Sequence, residues 1–178
     1  MPNLDSVRIF AYGSNLHICR MRARVPSAIP VAIGYVVQRR LAFHKRSVDG
    51  SAKADAVFSP KANDRVWGIV YQIDTIEKPT LDQHEFLGIG YDQQRAHVVT
   101  ADGISIMAWM YVAHPSTIDK SLKPYGWYLE FVIQGAYQHR LPLCYIADLH
   151  RIEPTVDPDP TRDEANRRLL VGKIATPQ

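Results

Sequence analysis

Gln94-Arg95-Ala96-His97-Val98-Val99-Thr100-Ala101-Asp102-Gly103-Ile104-Ser105-Ile106-Met107-Ala108-Trp109-Met110-Tyr111-Val112-Ala113 reads as two strands joined by a tight turn. β-Branched and aromatic residues flank Asp102-Gly103, a pair suited to the positive φ of a short hairpin turn, so residues 94–100 and 104–113 are expected to pair antiparallel. Most of the second strand is apolar on both faces. That is the pattern of a closed or covered sheet, not of one with a wet side.

Further strands are expected upstream, at residues 7–12, 31–43, 53–58 and 66–73. Asp49-Gly50-Ser51 and Lys61-Ala62-Asn63-Asp64 are strong turn compositions, so the last three read as consecutive antiparallel strands. Residues 16–25 read as a short helix with Leu16, Cys19 and Met21 turned inward, stopped by Pro26. Residues 75–85 read as a second helix, broken at Pro79 and restarted from a Thr80 cap. After Pro124, Glu130, Gln134 and Gln138 recur every four residues opposite Trp127, Phe131, Val132 and Tyr137, and Pro142 opens a further helix through residue 150. Hairpin strands with helices before, between and after them give an α+β fold in which the sheet curls around its own core. One domain is expected over residues 1–154. Residues 155–178 read as a polar, loosely attached C-terminal tail carrying one apolar patch, Leu169-Leu170-Val171.

At 178 residues the chain is long enough for one packed core. A 46% hydrophobic content with 22% charged residues fits a water-soluble domain, and no apolar run approaches the ~20 residues that span a bilayer. The N-terminal residues lack a secretory pattern, so a cytoplasmic location without membrane partners is expected. Cys19 and Cys144 are far apart and the seven histidines show no ligand spacing, so neither a disulfide framework nor a metal site is expected. The net charge of +3 draws attention to Arg20, Arg22 and Arg24, and to Arg39, Arg40, His44, Lys45 and Arg46. No nucleic-acid-binding motif accompanies them, and both clusters read as solvated faces. The oligomeric state is not legible.

The chemistry is concentrated in Phe10-Ala11-Tyr12-Gly13-Ser14-Asn15-Leu16. A strand that breaks at Gly13, with Ser14 and Asn15 placed to cap the next helix, leaves main-chain N–H groups pointing outward. Such a bend attracts carboxylates and developing oxyanions. Some seventy residues on, Thr80-Leu81-Asp82-Gln83-His84-Glu85-Phe86 ends a helix on an acid. A carboxylate there faces the negative end of the helix dipole, and burial among Phe86 and Leu87 would further favour the protonated acid.

Taken together, Tyr-Gly-Ser-Asn-Leu and Leu-Asp-x-x-Glu resemble the γ-glutamylcyclotransferase family. Gly34-Tyr35, Val66-Trp67-Gly68-Ile69-Val70-Tyr71, Ile133-Gln134-Gly135-Ala136, Leu141-Pro142-Leu143 with Tyr145, and Ile152-Glu153-Pro154 follow in the family's order, so the resemblance covers roughly residues 7–154. It implies a small mixed β-barrel flanked by helices. It also implies cleavage of a γ-glutamyl amide without water, by attack of the substrate's own α-amine on the γ-carbonyl, releasing 5-oxoproline and the free amine. In that reading Glu85 is the general acid/base, and the small γ-glutamyl substrate is held by Tyr12, Gly13, Ser14, Asn15 and Leu16 and lined by Tyr91, Tyr111 and Tyr128. The chemistry calls for no metal and no cofactor.

Where many family members carry glycine after the glutamate, Phe86 stands here, and its ring is expected to narrow the pocket. The departing group is therefore open between an amino acid, an amine and the remainder of glutathione. A non-catalytic module that binds a small carboxylate is the alternative from another class, but an acid inside an anion pocket repels such a ligand unless it has work to do. A serine hydrolase built on Ser14 lacks the second glycine of Gly-x-Ser-x-Gly. Gly88-Ile89-Gly90 lacks the third glycine and the following helix of a dinucleotide loop.

Overall fold

The computed structural model describes residues 5–171. Among these residues seven strands are formed: β1 (Ser6–Ala11), β2 (Ile29–Val37), β3 (Arg39–Arg46), β4 (Ala52–Phe58), β5 (Arg65–Asp74), β6 (Tyr91–Thr100) and β7 (Ser105–Ala113). Five of them close a barrel in the order β1-β5-β2-β6-β7. The pairings are antiparallel except where β7 meets β1, with Ile9 opposite Trp109 and Phe10 opposite Met110, so the barrel is mixed. Closure removes the exposed edges an open sheet would present. It also explains why β5, paired to β1 on one side and β2 on the other, buries Val66, Ile69, Val70, Tyr71 and Ile73.

The hairpin forms as expected. Tyr91 to Val99 pair with Ala113 to Ser105, and Gly103 takes a φ of 80° at the turn. The single strand expected over residues 31–43 is instead two. Gln38 adopts a left-handed φ of 55°, which turns the chain out of the barrel, so β3 pairs with β4 in a separate two-stranded ribbon. Consequently β4 and β5 are not neighbours, contrary to the expected run of consecutive antiparallel strands. The ribbon is tied to the barrel by a buried pair: His44 Nε2 lies 2.8 Å from Asp55 Oδ2, and Asp55 Oδ1 accepts the Ala113 N–H at 2.8 Å.

Among the described residues five helices flank the barrel: α1 (Ile18–Arg24), α2 (Lys78–His84), α3 (Gly126–Gln138), α4 (Leu143–His150) and α5 (Pro160–Leu170). Pro79 does not interrupt α2. It sits in the first turn, where its missing N–H has no carbonyl to reach, and the segment before it, Thr75–Glu77, is a short 3-10 turn. Helix α3 is buried on most of its circumference, with Trp127, Tyr128, Phe131, Val132 and Ala136 all in the core, while Tyr137, expected near the buried side, is half-exposed and pairs with His150.

The segment after Glu153 is held far more firmly, through Val171, than a loose tail. Asp157, with its side chain fully buried, accepts Trp127 Nε1–H at 2.7 Å and both Nε and Nη2 of Arg162 at 2.8 and 2.5 Å. Asp159 then caps α5 by accepting the N–H groups of Thr161 and Arg162. Asp157→Ala is expected to strand the buried Trp127 N–H, a cost of about 1–3 kcal/mol, and to undock α5; urea unfolding with α5 protease sensitivity as a second readout checks it. The Arg162 hydrogen bonds hold the Asp157 carboxyl well below the usual carboxylate range. A depressed carboxyl stabilises the fold fully above its unfolded-state value near ~4 and loses that contribution as pH falls toward the depressed one, so α5 is expected to loosen in acid before the barrel does.

Candidate active site

At the end of β1 the chain leaves the barrel wall and makes a 3-10 turn, Ser14–Leu16, with Gly13 at its head. Leu16 N–H bonds back to the Gly13 carbonyl and His17 N–H to that of Ser14, while among the described residues the N–H groups of Gly13, Ser14 and Asn15 donate to no protein carbonyl. Neither Ser14 nor Asn15 caps α1, whose cap position is His17. The Asn15 side chain does something else. Its Nδ2 donates to Glu85 Oε1 at 2.9 Å, and its Oδ1 accepts Arg24 Nη1 at 3.0 Å.

Glu85 occupies the C-cap of α2, as its place in the sequence suggests. Its expected apolar jacket is not there. Phe86, at a φ of 52°, and Leu87 are 49% and 39% exposed, so neither buries the carboxylate, although Phe86 does line the cleft outside Glu85. Polar partners hold it instead: Arg24 Nη1 pairs with Oε1 at 2.9 Å alongside Asn15, both side chains being largely buried. Oε2 has no protein partner among the described residues.

The bend and the acid line one cavity of about 390 Å³, counted out to its mouth, together with Tyr12, Tyr91, Tyr111 and Tyr128. Leu16 is the expected site residue that does not line it. It is fully buried, and its carbonyl accepts the Tyr71 hydroxyl at 3.0 Å. Burial raises the pKa of all four cavity tyrosines, so they stay neutral phenols. Three spend their protons on the protein. Tyr12 donates to the Tyr111 carbonyl at 2.5 Å, Tyr91 to that of Ala54 at 2.8 Å, and Tyr111 to Asp82 Oδ1 at 2.6 Å. Tyr128 differs: its oxygen accepts Ala54 N–H at 3.0 Å, and among the described residues its own O–H has no acceptor.

Beyond Glu85 the cavity widens into an outer cleft lined by Arg20, Arg24, Lys45, Lys53 and Asp49, which shares Ser14, Glu85, Tyr91 and Tyr128 with the inner one. These cations were not legible as part of a site, since Arg20, Arg24 and Lys45 fell within clusters that read as solvated faces. Lys45 and Lys53 are in fact 6% and 9% exposed. The i, i+4 spacing of Arg20 and Arg24 on one face of α1 was the available signal. His84 stays exposed at the rim. Among the described residues no cluster of histidine, cysteine or acidic side chains could hold a metal ion, and no helix is long and apolar enough to cross a membrane.

The chain is 30% identical over 180 residues to γ-glutamylcyclotransferase of Homo sapiens, an alignment that covers 98% of this chain and 94% of that one. It belongs to the γ-glutamylcyclotransferase family. The γ-glutamylcyclotransferase of Bos taurus is likewise 30% identical, over 177 residues, covering 97% of this chain and 92% of its own. An AIG2-like family model matches residues 65–149. A solved γ-glutamyl cyclotransferase structure superposes with a TM-score of 0.80 at 26% identity, covering 92% of this chain and 99% of that one. The five-stranded mixed barrel with five flanking helices is thus the γ-glutamylcyclotransferase fold, and the family is one of enzymes. Membership supports a cyclotransferase function for this chain.

Proposed function

We propose that this protein cleaves a γ-glutamyl amide by attack of the substrate's own α-amine on its γ-carbonyl, giving 5-oxoproline and the free amine, with Glu85 moving the proton. The observation that carries this reading is the meeting of the Asn15 bend and the Glu85 carboxylate across 2.9 Å at one cavity. Because nucleophile and target share one molecule, proximity worth up to ~7–11 kcal/mol comes with the substrate, and the protein has only to select the folded conformer. Glu85 accepts a proton from the α-ammonium; the freed amine attacks the γ-carbonyl and forms the C–N bond of the ring; Glu85 hands that proton to the departing nitrogen as the old C–N bond breaks, and the second proton, shed by the ring nitrogen as it becomes the lactam N–H, passes through the same carboxylate to the released amine, which leaves as an ammonium. Nothing is consumed, and the acid ends as it began.

Charge develops on the γ-carbonyl oxygen during attack. The unpaired N–H groups at Gly13, Ser14 and Asn15 and the Tyr128 hydroxyl are the available donors, each worth ~3 kcal/mol when aimed at that oxygen. Whichever of them the oxyanion does not use are suited to the α-carboxylate. Purified protein incubated with γ-glutamyl-alanine or with a γ-glutamylamine is expected to release 5-oxoproline, read by mass spectrometry. Binding across a wide substrate panel with no product would overturn the activity and leave a carboxylate-binding module.

A further inference from the structure

Resting on that cyclotransferase reading, we infer that Lys45, Lys53 and Arg20 form a subsite in the outer cleft for negative charge on the departing amine, and that it selects an acidic amino acid as the group released.

The first observation is register. Lys45 and Lys53 stand directly opposite each other across β3 and β4, a placement of like charges that costs stability in a sheet. Both are nonetheless buried. Lys53 is compensated: Nζ bonds Asp49 Oδ2 at 2.7 Å and Ser51 Oγ at 2.8 Å, and lies over the rings of Trp127 and Tyr128. Burial still pushes its pKa down to about 8. Lys45 lies over the face of Tyr91, 4.9 Å away, and among the described residues no carboxylate hydrogen-bonds to it, although Glu85 and Asp49 are near enough to act on its charge. An ammonium that lines the cleft with no acid bonded to it is free to take a carboxylate from a ligand.

Arg20 repeats the pattern. It is clamped against Phe131 and Trp127, with Nη1 on Asn166, yet its buried Nε–H has no partner and no acid pairs with it among the described residues. Among the described residues the charged side chains of the cleft are four cations, Arg20, Arg24, Lys45 and Lys53, against two acids, Asp49 and Glu85, which leaves an excess of two positive charges. The α-ammonium and α-carboxylate of a γ-glutamyl group cancel each other, so within the substrate only its other end can answer the excess. A neutral amine answers none of it and a simple amino acid one charge. An acidic amino acid answers both.

The test compares γ-glutamyl-glutamate, γ-glutamyl-alanine and γ-glutamyl-alaninamide as substrates of the intact protein. kcat/KM is expected to fall by about tenfold at each loss of a carboxylate, carried by KM, as befits the loss of a charge-assisted contact made in ground and transition states alike. Lys45→Met is expected to shrink both steps to about threefold or less, and Lys45→Arg to restore them. Affinities of the same three compounds are measured by calorimetry on the Glu85→Gln protein. Equal kcat/KM and equal affinities for the three compounds would overturn the subsite even if Lys45→Met failed to fold, because the native ranking alone decides it. Absence of 5-oxoproline with graded affinities would overturn the cyclotransferase reading and keep the anion site.

Discussion

Glu85→Gln is expected to lower kcat by about 10³-fold while substrate affinity stays within about threefold, the signature of a group that acts on the barrier rather than on binding. Glutamine keeps the shape and an acceptor oxygen for Asn15 Nδ2 and Arg24 Nη1, so the loss of the partly buried ion pair costs no more than about 2 kcal/mol and the protein remains folded. What the amide cannot do is take a proton from an ammonium and hand it on. Single-turnover assays of 5-oxoproline release, run beside a melting curve, separate these effects. Turnover within tenfold of the original in a folded Glu85→Gln protein would remove Glu85 from the mechanism.

Gly135→Ala is expected to destabilise the protein by about 3 kcal/mol, although alanine is the better helix former by up to ~1 kcal/mol. Gly135 lies in α3 where that helix crosses the turn Ser14–Leu16, and a Cβ there would come within 2.5 Å of His17 N and of the carbonyl carbon and Cβ of Leu16. Two of those three atoms are main chain, so the clash cannot be relieved by rotating a side chain. The helix and the turn must separate, and the turn carries Asn15. Loss of stability in urea should therefore come with a loss of activity larger than the unfolded fraction explains. A variant of unchanged stability would show that the crossing is looser than its geometry states.

Much of the barrel is legible in the chain because local signals and tertiary context agree there. The hairpin at residues 94–113 has turn chemistry at Asp102-Gly103 and strand composition on either side, and both strands form where those signals place them. The meeting of the Gly13 bend with Glu85 is legible through a family pattern, not through periodicity. Three things are hidden for physical reasons. Gln38 adopts a conformation usually left to glycine, so nothing in the composition of residues 31–43 announces that the run changes sheets. Asp157 and Arg162 sit in a polar, proline-rich stretch, and only burial of the carboxylate against Trp127 reveals that it anchors a helix. The third case is the environment of Glu85. Apolar residues follow it in sequence, yet with the left-handed turn at Phe86 they stay largely exposed, and partners from residues 15 and 24 hold the carboxylate.

The outward turn at Gln38 has a consequence for how such a catalyst can be remodelled. All five barrel strands hydrogen-bond to one another without using a single residue of the ribbon. Yet the ribbon supplies Lys45 and Lys53, while the bend and Glu85 hang from the barrel's own strand ends and helices. On the proposal above, two of the three subsite cations thus sit on the ribbon, apart from the elements that carry the bend and Glu85, while Arg20 sits on α1. A library confined to residues 39–58 that spares His44, Ala54 and Asp55 is expected to shift the preference for the released group while Glu85 and its partners Asn15 and Arg24 stay in place.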